Sequence, residues 1–159
     1  MSDIEQDWGD RLAVENDQFV TITIADQLFG IPVLTVHDVL VAQKITPIPL
    51  APPEVAGALN LRGRIVTAID VRRALGLAPR EGDDPGMYVV VEHDEELYSL
   101  MVDTVGEVMD LPSDAFERPP TTLEPRWREV ASGIYRLEGQ LLLVLDVERL
   151  LDFDKANVT

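Results

Sequence analysis

The chain has 159 residues, 46% of them hydrophobic, and a formal net charge of −16. A chain of this size closes about 68–70% of its unfolded surface away from water, so it is read as globular, as one domain or two small lobes around one core. It has no cysteine. This excludes disulfides, thiolate nucleophiles and cysteine-built zinc sites, and it fits a reducing cytosol. The strong acidity argues against nucleic acid and anionic membrane as partners.

In chain order, residues 1–17 read as an acidic, flexible tail carrying Asp3, Glu5, Asp7, Asp10, Glu15 and Asp17, with Trp8 its single large aromatic. It has neither the basic start nor the apolar centre of a signal peptide. No apolar run approaches the ~18 residues of a membrane span. From Phe19 the pattern FVTITIA alternates Val20, Ile22 and Ile24 with Thr21 and Thr23, the period of a half-buried strand. A turn at Ala25–Gln27 leads into a second strand, Leu28–Val33, with Pro32 at its edge or end. Val36, Val39 and Leu40 have helical spacing and predict a short helical turn. Pro47, Pro49, Pro52 and Pro53 mark an extended connector. A hairpin follows, Gly57–Arg62 and Arg64–Ile69, turning at Arg62-Gly63. Asp70 is placed to cap a short helix through Leu75, with Gly76 as the residue that ends it.

The chain then repeats. Residues 88–108 (YVVVEHDEELYSLMVDTVGEV) align without a gap on residues 19–39 (FVTITIADQLFGIPVLTVHDV). Residues 137–151 (LEGQLLLVLDVERLL) align on 61–75 (LRGRIVTAIDVRRAL), with Gly139 on Gly63, Asp146 on Asp70 and Leu151 on Leu75. A longer, Pro-rich connector at 109–134 separates the two blocks of the second copy. Pseudo-repeats at about 19–77 and 88–153 predict two similar β lobes of about five short strands each, with little helix. Such sheets curl into barrels because open edges invite aggregation.

No catalytic constellation is present in the sequence. His93 lies beside Asp94, Glu95 and Glu96 in a predicted hairpin turn, and His37 beside Asp38 has no second histidine near it. The segment Gly57–Gly63 lacks the Lys-Ser/Thr ending of a phosphate loop. Abundant surface carboxylates are weak evidence for acid–base catalysis. The expected activity is therefore binding, with no enzyme chemistry, cofactor or metal. Against the acidic background Arg62, Arg64, Arg72 and Arg73 form a basic island with Asp70 its one acid. The turn arginine Arg62 offers a planar fork for carboxylates or carbonyls, and its counterpart in the second copy is Glu138.

Three segments carry a family resemblance: Gly30-Ile31-Pro32-Val33, Val36-His37-Asp38-Val39, and Asn60-Leu61-Arg62-Gly63-Arg64-Ile65 running on to Asp70-Val71-Arg72. Together they resemble the CheW-like domain of bacterial chemotaxis, over about 18–153, leaving 154–159 as a C-terminal tail. The resemblance implies a mainly β fold of two SH3-like five-stranded barrels sharing a hydrophobic core, with a few short helices. It implies a non-enzymatic adaptor in the cytoplasm, within receptor arrays at the inner face of the membrane and without membrane insertion. Its partners would be the cytoplasmic hairpin tip of a chemoreceptor and the regulatory domain of the histidine kinase CheA, with the chain monomeric when alone. The same domain occurs at the end of CheA and in CheV, but this chain shows neither fusion. Carried over by position, Val36, Asp38, Asn60, Arg62 and Arg64 fall in the receptor- and kinase-binding region, and Arg118 falls at a lateral contact. An apolar groove between or beside the lobes would take a receptor helix, with Arg62 and Asp38 setting its register. Thr67 replaces the family's usual proline, and Arg64 an often apolar residue. A regulator that competes for kinase or receptor sites, or that serves a non-motility pathway, is the alternative.

Overall fold

The computed structural model describes residues 16–152. The expected tail over 1–15, including Trp8, and the C-terminal tail over 154–159 lie outside the described residues. The last two tail positions, Asn16 and Asp17, belong to the first strand.

Ten strands run in chain order: β1 (Asn16–Ile24), β2 (Gln27–Pro32), β3 (Val36–Val41), β4 (Val55–Leu61), β5 (Arg64–Asp70), β6 (Met87–His93), β7 (Glu96–Val102), β8 (Thr104–Pro112), β9 (Ala131–Leu137) and β10 (Gln140–Leu145). Three single-turn helices interrupt them: α1 (Val71–Ala74), α2 (Pro125–Arg128) and α3 (Val147–Leu150). The helical turn expected at Val36–Leu40 is corrected. A 3-10 turn occupies Val33–Thr35 instead, and Val36–Val41 is the edge strand β3, antiparallel to β6. Val39 and Leu40 are adjacent residues on opposite faces of a strand, a pattern too short to separate the two periods. The second connector is also shorter than expected, because β8 runs on to Pro112 and β9 starts at Ala131.

The strands form two five-stranded sheets, ordered β8-β1-β2-β10-β9 and β3-β6-β7-β5-β4. Neither sheet is one half of the chain. The hairpin β1–β2 sits between β8 and β10, and the hairpin β6–β7 sits between β3 and β5, so each half inserts its first hairpin into the sheet of the other. With β1–β2 set against β6–β7, β3 against β8, and β4–β5 against β9–β10, the two orders coincide strand for strand. The lobes we take as sheet-based units, with the β3–β7 strands as the first and the rest as the second.

Exchange explains the long apolar runs. On β6 the alternate residues Val89 and Val91 enter the main core, while Tyr88 and Val90 enter a separate cluster inside the first lobe with Leu59, Val66, Ala68 and Leu97. A strand buried on both faces reads as a continuous apolar run. The second lobe has its own cluster of Phe19, Leu111, Tyr135, Leu142 and Val144. The main core draws on both sheets: Ile22, Phe29 and Leu143 from one, Ile69, Val89 and Leu100 from the other. Each such fully buried side chain contributes about 1.5–3 kcal/mol relative to exposure. Trp127 of α2 lies edge-on to Phe29 with ring centroids 5.4 Å apart, so the long connector also closes over this shared core.

Among the described residues neither sheet is closed into a barrel by a full strand pairing, and a single bridge spans each seam. In the first lobe the connector leaving edge strand β3 bonds edge strand β4, with Thr46 and Ala58 exchanging N–H···O bonds of 2.8 Å. In the second, Glu117 and Ile134 exchange bonds of 3.0 and 2.8 Å. Both bridges need a glycine beside them. A Cβ on Gly57 would overlap the Thr46 carbonyl oxygen and the Ile45 side chain, and one on Gly133 would overlap the Phe116 ring and the Glu117 carbonyl.

Candidate partner-binding surface

The β4–β5 hairpin turns on two residues, Arg62 at φ 51° and Gly63 at φ 85°. Positive φ at both central positions matches the right-handed twist of the flanking strands, which makes this the favoured tight hairpin turn. A non-glycine residue in that conformation needs support, and Asn60 gives it: its Oδ1 accepts the Gly63 N–H at 2.9 Å. The corresponding turn of the second lobe is built differently, for only Gly139 of the Glu138–Gly139 pair has positive φ.

The turn lifts the Arg62 guanidinium clear of the sheet. Its side chain is 75% exposed, and one Nη2 lies 3.2 Å from Asp38 Oδ2. Asp38 is on β3 and Arg62 is in the turn that follows β4, and β3 and β4 are the two opposite edges of the sheet. The ion pair therefore lies across the seam, on the same side as the Thr46–Ala58 bridge. Asp38 is itself fixed, since its Oδ1 accepts the Val39 N–H at 2.8 Å. Its Oδ2 is closed off from water and makes no hydrogen bond among the described residues, so Arg62 meets it as an ion pair at a poor hydrogen-bond angle.

Exposed apolar side chains lie on the same strands or the neighbouring one. Ile65 is 71% exposed and Val41 66%, with Val39 less so. A groove of about 620 Å³ runs beside the turn, lined by Gln43, Lys44, Thr46, Ala58, Leu59, Asn60 and Ile65. Its outer wall is the connector, held to the lobe by the Tyr88 hydroxyl, which donates to the Gln43 carbonyl at 3.3 Å. Burial raises the pKa of that phenol above its usual value, the hydrogen bond notwithstanding.

Of the expected site residues, the fold brings Asp38, Asn60, Arg62 and Arg64 to one end of the first lobe. Arg64 is exposed beside the turn, with no ion-pair partner among the described residues. Asn60 supports the turn. Val36 is half-buried and packs in part against the main core. Arg118 is exposed in the second connector, beside Glu117, whose carboxylate holds Arg136 at 3.0 Å. The basic island is not one patch. β5 separates Arg64 from Arg72 by roughly 20 Å of strand, and Arg72 turns inward to Asp103. His93 is half-buried, with Nε2 3.3 Å from Asp94 Oδ2. Among the described residues no group of three or more His, Asp or Glu is placed to hold a metal ion, and no helix is long and apolar enough to cross a membrane.

These sheets and this turn can be set beside known proteins. The family model described as the CheW-like domain matches residues 18–155. The chain belongs to the CheW-like family. CheW-like proteins of this kind are chemotaxis scaffolds and not enzymes. A chemotaxis protein CheW of Treponema pallidum is 28% identical over 145 residues, covering 87% of this chain and 85% of the relative. One from Helicobacter pylori is 27% identical, covering 86% and 82%. A Pseudomonas aeruginosa relative named Protein PilI is 26% identical and covers 82% and 74%. The crystal structure of the scaffolding protein TtCheW from Thermoanaerobacter tengcongensis superposes with a TM-score of 0.76 at 28% identity, over 86% of this chain and 92% of that one. The CheW-like core thus accounts for nearly all the described residues, and the ion-paired turn of the first lobe is part of it.

Proposed function

We propose that this chain is a cytoplasmic adaptor that couples chemoreceptors to the histidine kinase CheA, holding both within receptor arrays and using the Arg62 end of the first lobe as a docking face. The observation that supports it most is the asymmetry of the two lobes. They share strand order, connector bridges and helix caps, yet Arg62 and Asp38 in the first lobe correspond to Glu138 and Glu107 in the second. Shape is kept in both lobes while surface chemistry differs, as befits a scaffold that holds two unlike partners. A groove lined by exposed Ile65 and by the Lys44 cation, at the strand that leads into the Arg62 turn, suits an amphipathic segment with acidic flanks.

The test is reconstitution. A receptor cytoplasmic fragment and CheA are mixed with and without this chain, and kinase autophosphorylation and co-sedimentation are followed. Coupling is expected to raise both at least tenfold. Binding of either partner alone, with no joint complex, would favour a competing regulator over a coupler. The PilI relative shows that the family reaches beyond proteins named for chemotaxis, so receptors of a second pathway belong in the same assay.

A further inference from the structure

We propose that Asp103 is an inter-lobe pin, a single carboxylate that fixes the angle between the two sheets by joining one segment from each sheet and the segment that links the two halves of the chain. Asp103 lies between β7 and β8, where the chain passes from one sheet to the other. Arg72 of α1 grips it with both ends of its fork, Nε to Oδ1 at 2.9 Å and Nη2 to Oδ2 at 2.7 Å. The Ala25 N–H, in the β1–β2 turn of the other sheet, donates to Oδ2 at 2.8 Å. Arg80 brings its Nε to 3.2 Å of Oδ1 from the segment that joins the two halves of the chain. The Asp103 N–H in turn donates to the Thr23 carbonyl at 3.1 Å.

The segment between α1 and β6 is strapped down at the same point. Arg72 Nη1 donates to the Ala78 carbonyl at 2.9 Å. At the far end of the segment, a Cβ on Gly86 would overlap the Arg80 guanidinium and the Val102 carbonyl. The side chains of Asp103 and Arg72 are only 15% and 20% exposed, so water competes weakly for these bonds. The shared apolar core holds the sheets together, but burial as such has no preferred direction. A bidentate charge-assisted pair has a required geometry. The junction related by the repeat lacks the device: the positions matching Asp103 and Arg72 are Leu34, fully exposed, and Glu148.

The consequence for coupling rests on the adaptor reading above, because two partners held at once must meet at a set angle. The experiment places spin labels on cysteines introduced at Ile65 and Val108, one exposed site in each sheet; the chain has no native cysteine to interfere. The inter-label distance is measured by pulsed electron resonance in the native background, in Asp103→Asn and in Arg80→Met. Arg80→Met keeps the side-chain stem and removes one contact of the pin, so it serves if Asp103→Asn does not fold. The pin predicts one narrow distance in the native protein and at least a twofold broader distribution in each folded variant. A native distribution in every folded variant overturns it. Joint binding of receptor fragment and kinase is expected to fall at least tenfold in unlabelled Asp103→Asn and Arg80→Met chains that keep Ile65 and Val108, with each binary affinity within twofold. Broadening with unchanged joint binding overturns the consequence for coupling. A native protein that forms no joint complex would show the failure to lie in the adaptor reading.

Discussion

Arg62 and Asp38 stand on opposite edges of one curled sheet and meet at 3.2 Å, while the second lobe places two acids, Glu138 and Glu107, at the matching positions. With Arg62 three-quarters exposed, the pair is worth at most about 1 kcal/mol to the fold. Stability therefore gives little reason for this arginine, and its free donors face outward.

Arg62→Glu is expected to leave the melting temperature within about 4 °C of native and to weaken partner binding at least tenfold, read by thermal scan and by pull-down. The double variant Asp38→Arg/Arg62→Asp restores the ion pair with its polarity reversed. Binding should stay weak in it if Arg62 itself touches the partner. Recovery of native affinity would mean that the pair serves only to hold the turn.

A second expectation concerns the seam glycines. A Cβ on Gly57 overlaps a backbone carbonyl, and its φ of 153° also strains an L side chain. At Gly133 the obstacles are the Phe116 ring, which can rotate away in part, and the Glu117 carbonyl, which lies farther off than the carbonyl facing Gly57, and the backbone there is not in the left-handed region. Gly57→Ala should cost about 1–3 kcal/mol and speed amide exchange at Thr46 and Ala58 by at least tenfold. Gly133→Ala should cost less. Urea melts combined with hydrogen exchange check both, and a larger loss at Gly133 would contradict the packing described for the two seams.

The helix caps give a third. Asp70 Oδ1 accepts the Arg73 N–H and Asp146 Oδ1 the Arg149 N–H, both at 3.1 Å. Replacing either with alanine should cost about 1 kcal/mol, and the two losses should agree within about 0.5 kcal/mol, since the caps have the same geometry. Chemical denaturation measures both; a loss near zero at Asp70 would show that Arg72 alone holds α1.

The two-lobe fold was legible because its signals are local: alternation in Phe19–Ala25, the Arg62-Gly63 turn, and the matched Asp70 and Asp146 caps. The hairpin exchange was not, since β1–β2 reads the same whichever sheet receives it, and pairing across the chain leaves no mark on a strand's own pattern. Arg62, Arg64 and Asp38 were readable as a surface from turn chemistry and resemblance. Asn60 was legible as a motif residue but not as the support of the turn. Val36 was read as a contact residue from the resemblance; its partial packing against the main core had no signal in the local pattern. Gly57 and Gly133 are spaced as the repeat requires, and that spacing was a usable signal of the two seams. Asp103 gave none, for within the aligned block it falls opposite Leu34, a position the repeat does not keep, and its partners come from three distant segments.

The last expectation follows from the charge state of Asp103. Burial alone would raise its pKa, but the hydrogen bonds from Arg72 and the Ala25 amide, with the charges of Arg72 and Arg80, outweigh burial and hold it below the usual aspartate value. In the unfolded chain it titrates near pH ~3.9. A depressed folded pKa means that the unfolded state binds the proton first as pH falls. The stability it contributes is thus complete above about pH 5 and is lost progressively as pH drops through the unfolded and then the folded value. Asp103→Asn removes that term and leaves Arg72 short of its counter-charge, so it should cost about 3–5 kcal/mol at pH 7. Between about pH 5 and pH 2 its stability should fall less steeply than that of the native protein. Urea melts at intervals across that range test it. Parallel curves for the two proteins would mean that Asp103 titrates alike in the folded and unfolded chains, and the charge-based account of the junction would fail.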